Sequence, residues 1–168
     1  MFQVEIVAQK DFSVEIEADD NLLEYIKTDV RHGALHLETE RKLSTSNPIR
    51  VRISAPNIEA IESSGAANIV LTELKNDSIE IESSGASKIK VSGETAKLIV
   101  DVSGATRVDA ESLTAGDANI EASGASTVEL LVNGNLTTNA SGASTIRYAG
   151  SPKDVIKKAS GASTVAPK

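Results

Sequence analysis

The tripeptide Ser-Gly-Ala occurs six times in this chain, and each copy is followed by two small or polar residues and then by isoleucine or valine. Successive glycines stand 20, 19, 20, 18 and 19 residues apart. These structural-repeat glycines are Gly65, Gly85, Gly104, Gly124, Gly142 and Gly161. A period this steady is typical of repeat proteins, in which each copy forms one structural unit and stacks on the next.

Each repeat contains two stretches in which apolar and polar residues alternate. Ile79 and Ile81 precede one tripeptide, and Ile89 and Val91 follow it. Alternation predicts half-buried strands, and the small Ser-Gly-Ala residues predict a bend between them. The second stretch ends at a turn whose residues vary between copies, such as Gly93-Glu94. The sequence therefore predicts two short strands and two bends in every repeat.

Stacking the repeats as coils, with about 4.8 Å between neighbouring strands, explains the recurring residues. The β-branched residues four positions after each glycine, from Ile69 to Val165, would form an inward ladder. We expect the alanines after the glycines to form a second ladder where only a small side chain fits, and the tripeptide serines to form a hydroxyl ladder. Glycine would be needed for positive φ or close backbone approach. The pattern favours an all-β parallel β-helix with about 19–20 residues per coil over a hairpin meander or a sandwich.

Residues 1–56 carry no Ser-Gly-Ala copy and are less regular. Alternation predicts strands at Phe2–Ala8, Phe12–Ala18, Ala34–Glu40 and Ile49–Ser54. A change of period predicts one helical turn from Leu22 to Ile26, with Asn21 and Glu24 as a capping box. We therefore divide one continuous domain into an irregular strand-rich N-terminal part (1–56), which would cap the core, and a regular β-helix (57–168).

Composition excludes several functional classes. The 168 residues are 40% hydrophobic but only 2% aromatic, which predicts a thin core of aliphatic side chains. The absence of cysteine excludes disulfides and thiolate sites. A net charge of −7, with no basic run longer than Lys157-Lys158, argues against nucleic-acid binding. No apolar run approaches the roughly 20 residues that span a bilayer, so we expect no membrane-spanning segment. The N-terminus also lacks the basic and apolar regions of a signal peptide.

Candidate catalytic and metal-binding groups are few. His32, His36 and Glu38 could share one strand face, but two solvated histidines are the simpler interpretation. The recurring serines have no repeating histidine beside them, which argues against a catalytic triad. The alternating carboxylates and basic residues that would point outward are typical of a solvated surface. They include Glu80, Glu82, Asp101, Asp109, Glu111, Glu121, Glu129, Lys88, Lys90, Arg107 and Arg147. We predict no catalytic residue, metal or cofactor, and the residues alone assign no ligand-binding site.

Thr127, Thr145 and Thr164 stand next to Ser126, Ser144 and Ser163 in the last three repeats. Stacking would make them a flat hydroxyl row like that of ice-binding solenoids. A structural role is the favoured interpretation, because only three coils carry the row and Lys88 and Arg107 interrupt it.

The repeated Ser-Gly-Ala-x-x-[Ile/Val] coil follows an Asn-Leu-Leu-x-x-Ile segment and a Gly-x-Leu-x-Leu strand at Gly33, Leu35 and Leu37. These features resemble the head GIN domain of autotransporter-type adhesins, a family frequent in exported and lipoprotein-like proteins of Bacteroidetes. The resemblance extends from about Phe2 to Val165. It implies a right-handed parallel β-helix and an exported protein, whether periplasmic, anchored to the outer membrane or extracellular. "Adhesin" is a provisional label in that family.

Two functional hypotheses follow. The first is a non-enzymatic adhesin or scaffold that presents a repetitive face to a protein or glycan partner, and the alternative is a carbohydrate-active or carbohydrate-binding β-helix. A pocket that gathers three or more charged side chains across adjacent coils would favour the enzyme. The last coil has no evident cap, so we expect either a homodimer through the C-terminal coil or fraying of Ser160 to Lys168.

Overall fold

Parallel coils stack along this molecule. The computed structural model describes residues 2–40 and 47–168. It is 68% strand and 2% helix, and its coils form a β-solenoid of about five turns. Successive coils pair in parallel, as β8 pairs with its neighbours on both sides. The predicted parallel β-helix is therefore confirmed, and the meander interpretation is wrong.

The described residues form strands and one short helix. In chain order they are β1 (Phe2–Ala8), β2 (Ser13–Glu17), α1 (Asp20–Leu23), β3 (Ile26–Arg31), β4 (Ala34–Thr39), β5 (Ile49–Ala55), β6 (Ala60–Ser63), β7 (Ala67–Ser83), β8 (Lys88–Val102), β9 (Arg107–Ala122), β10 (Thr127–Val132), β11 (Asn135–Ala140), β12 (Thr145–Ala149), β13 (Asp154–Ala159) and β14 (Thr164–Pro167). Strands β3 and β4 form a separate antiparallel hairpin, and the others share one sheet that winds around the core.

The strands are longer than predicted in three coils. β7, β8 and β9 run unbroken through the variable turn, so that separate strand pairs occur only later, as β10 with β11 and β12 with β13. A shift of register between Leu71 and Leu74 marks the turn in β7. Glu73 there has φ 59°. The extra residues of such a bulge bend a strand locally while pairing continues on both sides, so the corner needs no interruption of the strand.

The inward ladder of β-branched residues is confirmed. Ile69, Ile89, Val108, Val128, Ile146 and Val165 pair in register from coil to coil. All but the last are buried, with at most 6% of their surface exposed. Burial of each such side chain contributes about 1.5–3 kcal/mol, so this ladder is a major source of stability.

The first strand lies inside the stack. β1 pairs in parallel with β5 on one side and with β7 on the other, so that Val4 stands opposite both Val51 and Ile69. The ladder thus extends into the N-terminal part. β2 pairs antiparallel with β5 and ends the sheet.

The helical turn lies earlier in the chain than predicted. α1 begins after the N-cap Asp19, whose side chain makes no capping hydrogen bond, so the predicted capping box of Asn21 and Glu24 is wrong. Leu22 is the buried residue of this turn. The predicted helical residue Ile26 instead begins β3, because Ile26, Thr28 and Val30 alternate along one face of the hairpin opposite β4.

Candidate functional surface

The Ser-Gly-Ala corners are joined by a ladder of backbone hydrogen bonds. From Ala86 onward, the amide of the alanine donates to the glycine carbonyl of the preceding coil, as from Ala105 to Gly85 at 3.0 Å and from Ala125 to Gly104 at 2.8 Å. A Cβ added to Gly104 would lie 2.6 Å from the carbonyl oxygen of Gly85. Close backbone approach therefore explains why glycine recurs at this corner.

The six glycines are not equivalent. Positive φ, between 69° and 79°, occurs at Gly104, Gly124, Gly142 and Gly161. Gly85 lacks positive φ, but its added Cβ would lie 2.0 Å from the carbonyl oxygen of Gly65. Gly65 has neither constraint, because a Cβ added there would have no atom of another residue within 4 Å beyond its chain neighbours. The predicted reasons for glycine thus hold for five of the six corners.

The alanine ladder is not a packed one. All six alanines of this column are exposed and none belongs to the core: Ala66, Ala86, Ala105, Ala125, Ala143 and Ala162. The expectation that a tight site demands a small side chain there is therefore wrong. From Ala86 onward, these residues contribute to the stack through their amides, which make the coil-to-coil hydrogen bonds.

The buried hydroxyl column lies two residues after the glycines, instead of at the tripeptide serines. Ser87, Thr106, Ser126 and Ser144 have at most 3% of their surface exposed. Ser144 Oγ donates to the carbonyl oxygens of Ser141 at 2.8 Å and Ala122 at 3.1 Å. Thr106, Ser126 and Ser144 bond both to their own corner and to the preceding coil, and Ser87 bonds to the preceding coil.

The burial of Ser126 and Ser144 also removes the predicted flat row of serines and threonines. Thr127 and Thr145 pair with each other and are only partly buried, on the opposite side of the strand from these serines. The outer surface therefore carries one column of threonine hydroxyls. The serine hydroxyls point inward, so the two columns do not form a flat row on one face.

One outer surface carries paired charges, and we call it the mixed-charge face. It is formed by β1, β5, β10, β12, β14 and the first halves of β7, β8 and β9. Arg52 lies 3.6 Å from Glu5, and Lys90 lies 3.6 Å from Asp109, in each case between neighbouring strands. Such exposed pairs contribute at most about 1 kcal/mol each, so they add little to the stability of the fold.

Glu129 is the most buried carboxylate of the mixed-charge face, with 8% of its surface exposed. It accepts a hydrogen bond from Arg107 at 2.6 Å and another from Lys168 Nζ at 3.2 Å. Lys168 also pairs with Glu111. The hydrogen bond that Lys168 donates to Glu111 is the largest cause that raises the pKa of this lysine above its usual 10.5.

The other outer surface is acidic, and we call it the acidic face. It is formed by β6, β11, β13 and the second halves of β7, β8 and β9. Glu62, Glu82, Asp101 and Glu121 stand in register on adjacent strands. None of the four forms an ion pair within residues 2–40 and 47–168. Like charges directly opposite one another on a sheet are destabilising.

The two histidines lie on the β3–β4 hairpin. His32 is in the hairpin turn with φ 53°, while His36 lies on β4 opposite Asp29. His32 lies in the turn and not in the strand, so the spacing of four residues does not place the two histidines on one face of a strand. Among the described residues, no three histidine, cysteine or acidic side chains are grouped closely enough to hold a metal ion.

An open groove of about 650 Å³ lies beside the variable turn of the first coils, and four charged side chains line it. These are Glu59, Lys75, Asp77 and Glu80. The amide of Asn76 is already used, since its Nδ2 donates to the carbonyl oxygens of Ile58 and Ser78, both at 2.7 Å, and its Oδ1 accepts from Thr95 at 2.8 Å. The groove therefore offers carboxylates and an amine to a ligand.

The sequence matches a family described as "Putative auto-transporter adhesin, head GIN domain" over residues 1–152. No curated protein matches the sequence. No helix of the described residues is long and apolar enough to cross a membrane.

Solved structures share the fold at low identity. A putative adhesin from Bacteroides fragilis is 15% identical, with a TM-score of 0.78, over 99% of this chain and 88% of that one. A putative lipid binding protein from Parabacteroides distasonis is 14% identical, with a TM-score of 0.61, over 99% and 92%. A putative adhesin from Parabacteroides merdae is 17% identical, with a TM-score of 0.52, over 99% and 88%.

Proposed function

The chain belongs to the family described as putative auto-transporter adhesin, head GIN domain, and on that premise we propose that it is a non-enzymatic adhesin or scaffold exported to the cell envelope or surface. In this proposal the protein is periplasmic, anchored to the outer membrane or extracellular. It presents one of its long outer faces to a protein or glycan partner.

The observation that carries this proposal is the regularity of the outer faces. On the acidic face, Glu82, Asp101 and Glu121 repeat at one position of successive coils. On the mixed-charge face, Thr127, Thr145 and Thr164 do the same. Equivalent groups then recur about every 4.8 Å along a rigid sheet. A surface of this kind suits binding to an extended or repetitive partner by many weak contacts.

The experiment is a binding screen of the purified chain, displayed on beads, against a glycan array and immobilised matrix proteins. Two variants separate the faces: Glu82→Gln with Glu121→Gln on the acidic face, and Thr127→Val with Thr145→Val on the mixed-charge face. We expect one pair to abolish binding and the other to leave it intact. Equal binding by both variants and the wild type would contradict presentation by either face.

The groove beside Asn76 favours a second candidate, a carbohydrate-active or carbohydrate-binding protein, because it brings Glu59, Asp77 and Glu80 together with Lys75 from adjacent coils. Release of new reducing ends from a polysaccharide, lost in Glu80→Gln, would support an enzyme. Binding without cleavage, lost in the same variant, would support a carbohydrate-binding groove in place of an outer face.

A further inference from the structure

The last coil leaves the core open at one end. Within the described part of the chain, β13 pairs with β11 alone and β14 with β12 alone. The inward residues of β11 are fully covered, but Val155, opposite Leu136, is 36% exposed, since β11 is the only strand among the described residues with which β13 pairs. An uncovered strand of this kind can accept another strand along its free edge.

One inward column changes its chemistry toward this open end. The residues that pair along it are, in order, Ile61, Ile81, Val100, Ile120, Thr138 and Lys157. The four aliphatic members are buried, and Thr138 is fully buried. The next column, which ends at Val155, stays apolar throughout. Lys157 therefore places a charge at one inward position of the terminal strand.

The Lys157 side chain crosses the end of the core. Its Nζ lies 4.9 Å from the centre of the Tyr148 ring, on β12 in the opposite wall of the solenoid. Tyr148 belongs to the core and is 8% exposed. The aliphatic stem of the lysine can thus cover apolar surface while the ammonium group rests on the ring and keeps contact with water.

We infer that Lys157 is an end stop, which covers the core at the last coil and prevents β13 from pairing with a second copy of this chain. A strand added to β13 would continue the inward column and enclose the ammonium group between two layers of core. A buried charge without an opposite charge is strongly unfavourable, and inward-pointing charges are a known protection of edge strands.

The neighbouring edge is protected separately. Pro167 has no amide hydrogen to donate from β14. The next residue, Lys168, donates its backbone amide to the Tyr148 carbonyl at 2.9 Å, and its Nζ lies 3.2 Å from Glu129 Oε1. Both walls of the last coil are therefore held in place, so neither the homodimer nor the fraying predicted from the sequence is required.

The test compares Lys157→Val with the matched control Lys158→Val. Both variants remove one positive charge from β13, but residue 158 faces outward, opposite Asn139. Light scattering over a wide range of protein concentration should give a monomer for the wild type and Lys158→Val. For Lys157→Val, the mass should rise with concentration to at least twice the monomer value.

A dimeric wild type, or a Lys157→Val variant that stays monomeric like its control, would overturn the end stop. Circular dichroism establishes that each variant is folded, and Lys157→Arg, which retains the charge, should remain monomeric. Hydrogen exchange provides an independent measurement. Amides of β13 that bond to β11 should be protected in the wild type, and complete loss of that protection would overturn the end stop by showing a frayed end instead.

Discussion

At the scale of the residue, the corner glycines make a sharp stability prediction. Gly104 has φ +79°, and an added Cβ would lie 2.6 Å from the Gly85 carbonyl oxygen. Gly104→Ala should therefore lower the free energy of unfolding by about 1–3 kcal/mol, through backbone strain and a forced shift of the neighbouring coil. Urea denaturation monitored by circular dichroism measures this loss.

The matched control is Gly65→Ala in the first copy of the same tripeptide. A Cβ placed there would lie in open space, and the residue has no positive φ. We expect a change within about 0.5 kcal/mol, as for an ordinary surface substitution. Equal losses in the two variants would show that contact between coils is not the reason for the glycines.

Single residues also show which features could not be predicted from the sequence. Alternation correctly predicted that Ile89 points inward, and the same parity places Ser87, two residues earlier, on the inward side. A hydroxyl group favours the surface, so parity alone does not predict the burial of Ser87, whereas Ala86, in the ladder predicted to pack, is exposed. The burial of Ser87 depends on a partner from the preceding coil, Ser63 Oγ at 2.8 Å, which only the stacked structure provides.

At the scale of the element, the in-register columns of charge predict different effects on stability for the substitution of two aspartates. Asp101 lies between Glu82 and Glu121 on neighbouring strands, without a basic partner among the described residues. Asp101→Asn should raise the free energy of unfolding by about 0.2–1 kcal/mol, because it relieves repulsion between like charges. Added salt should reduce this gain by screening the carboxylates.

Asp109 is the control, since it lies on the mixed-charge face 3.6 Å from Lys90 and also accepts a hydrogen bond from the Glu111 amide at 3.3 Å. Asp109→Asn should leave stability unchanged or lower it by up to about 1 kcal/mol. Thermal denaturation of both variants at low and high ionic strength makes the comparison. Stabilisation by both substitutions would mean that net charge matters here and position does not.

Element boundaries were predictable to the extent that they follow local alternation. Phe2–Ala8 is a strand as predicted, and the strand predicted at Ile49–Ser54 extends to Ala55. The unbroken course of β7 through its turn was not predictable, because it depends on pairing with β8 around the corner. The pairing of β1 with β7 was not predictable either, since no local sequence pattern identifies a partner strand so far along the chain.

At the scale of the whole molecule, the division at residue 56 is a proposal that truncation can test. A chain of residues 57–168 lacks β1, which covers the first half of β7. We expect it to unfold at a markedly lower temperature than the full chain, because Ile69 and Leu71 lose the neighbouring strand.

The comparison is a chain of residues 1–152, which lacks only β13 and β14 at the opposite end. Removal of a terminal coil costs mainly one interface between neighbours, so this truncation should be the milder of the two. Calorimetry of both fragments measures the difference. A 57–168 chain that melts like the full protein would show that the N-terminal part is dispensable for the stability of the regular coils.

The position of β1 also has a consequence for how the molecule assembles. β1 spans Phe2–Ala8, yet its neighbours in the sheet begin only at Ile49 on one side and Ala67 on the other. Later coils can pair with the preceding coil as soon as they are synthesised, whereas β1 can pair only after both β5 and β7 have been synthesised. Closing such long loops slows folding, and a waiting apolar strand is prone to aggregation. The nascent chain is therefore most in need of a chaperone before the first solenoid coil is complete.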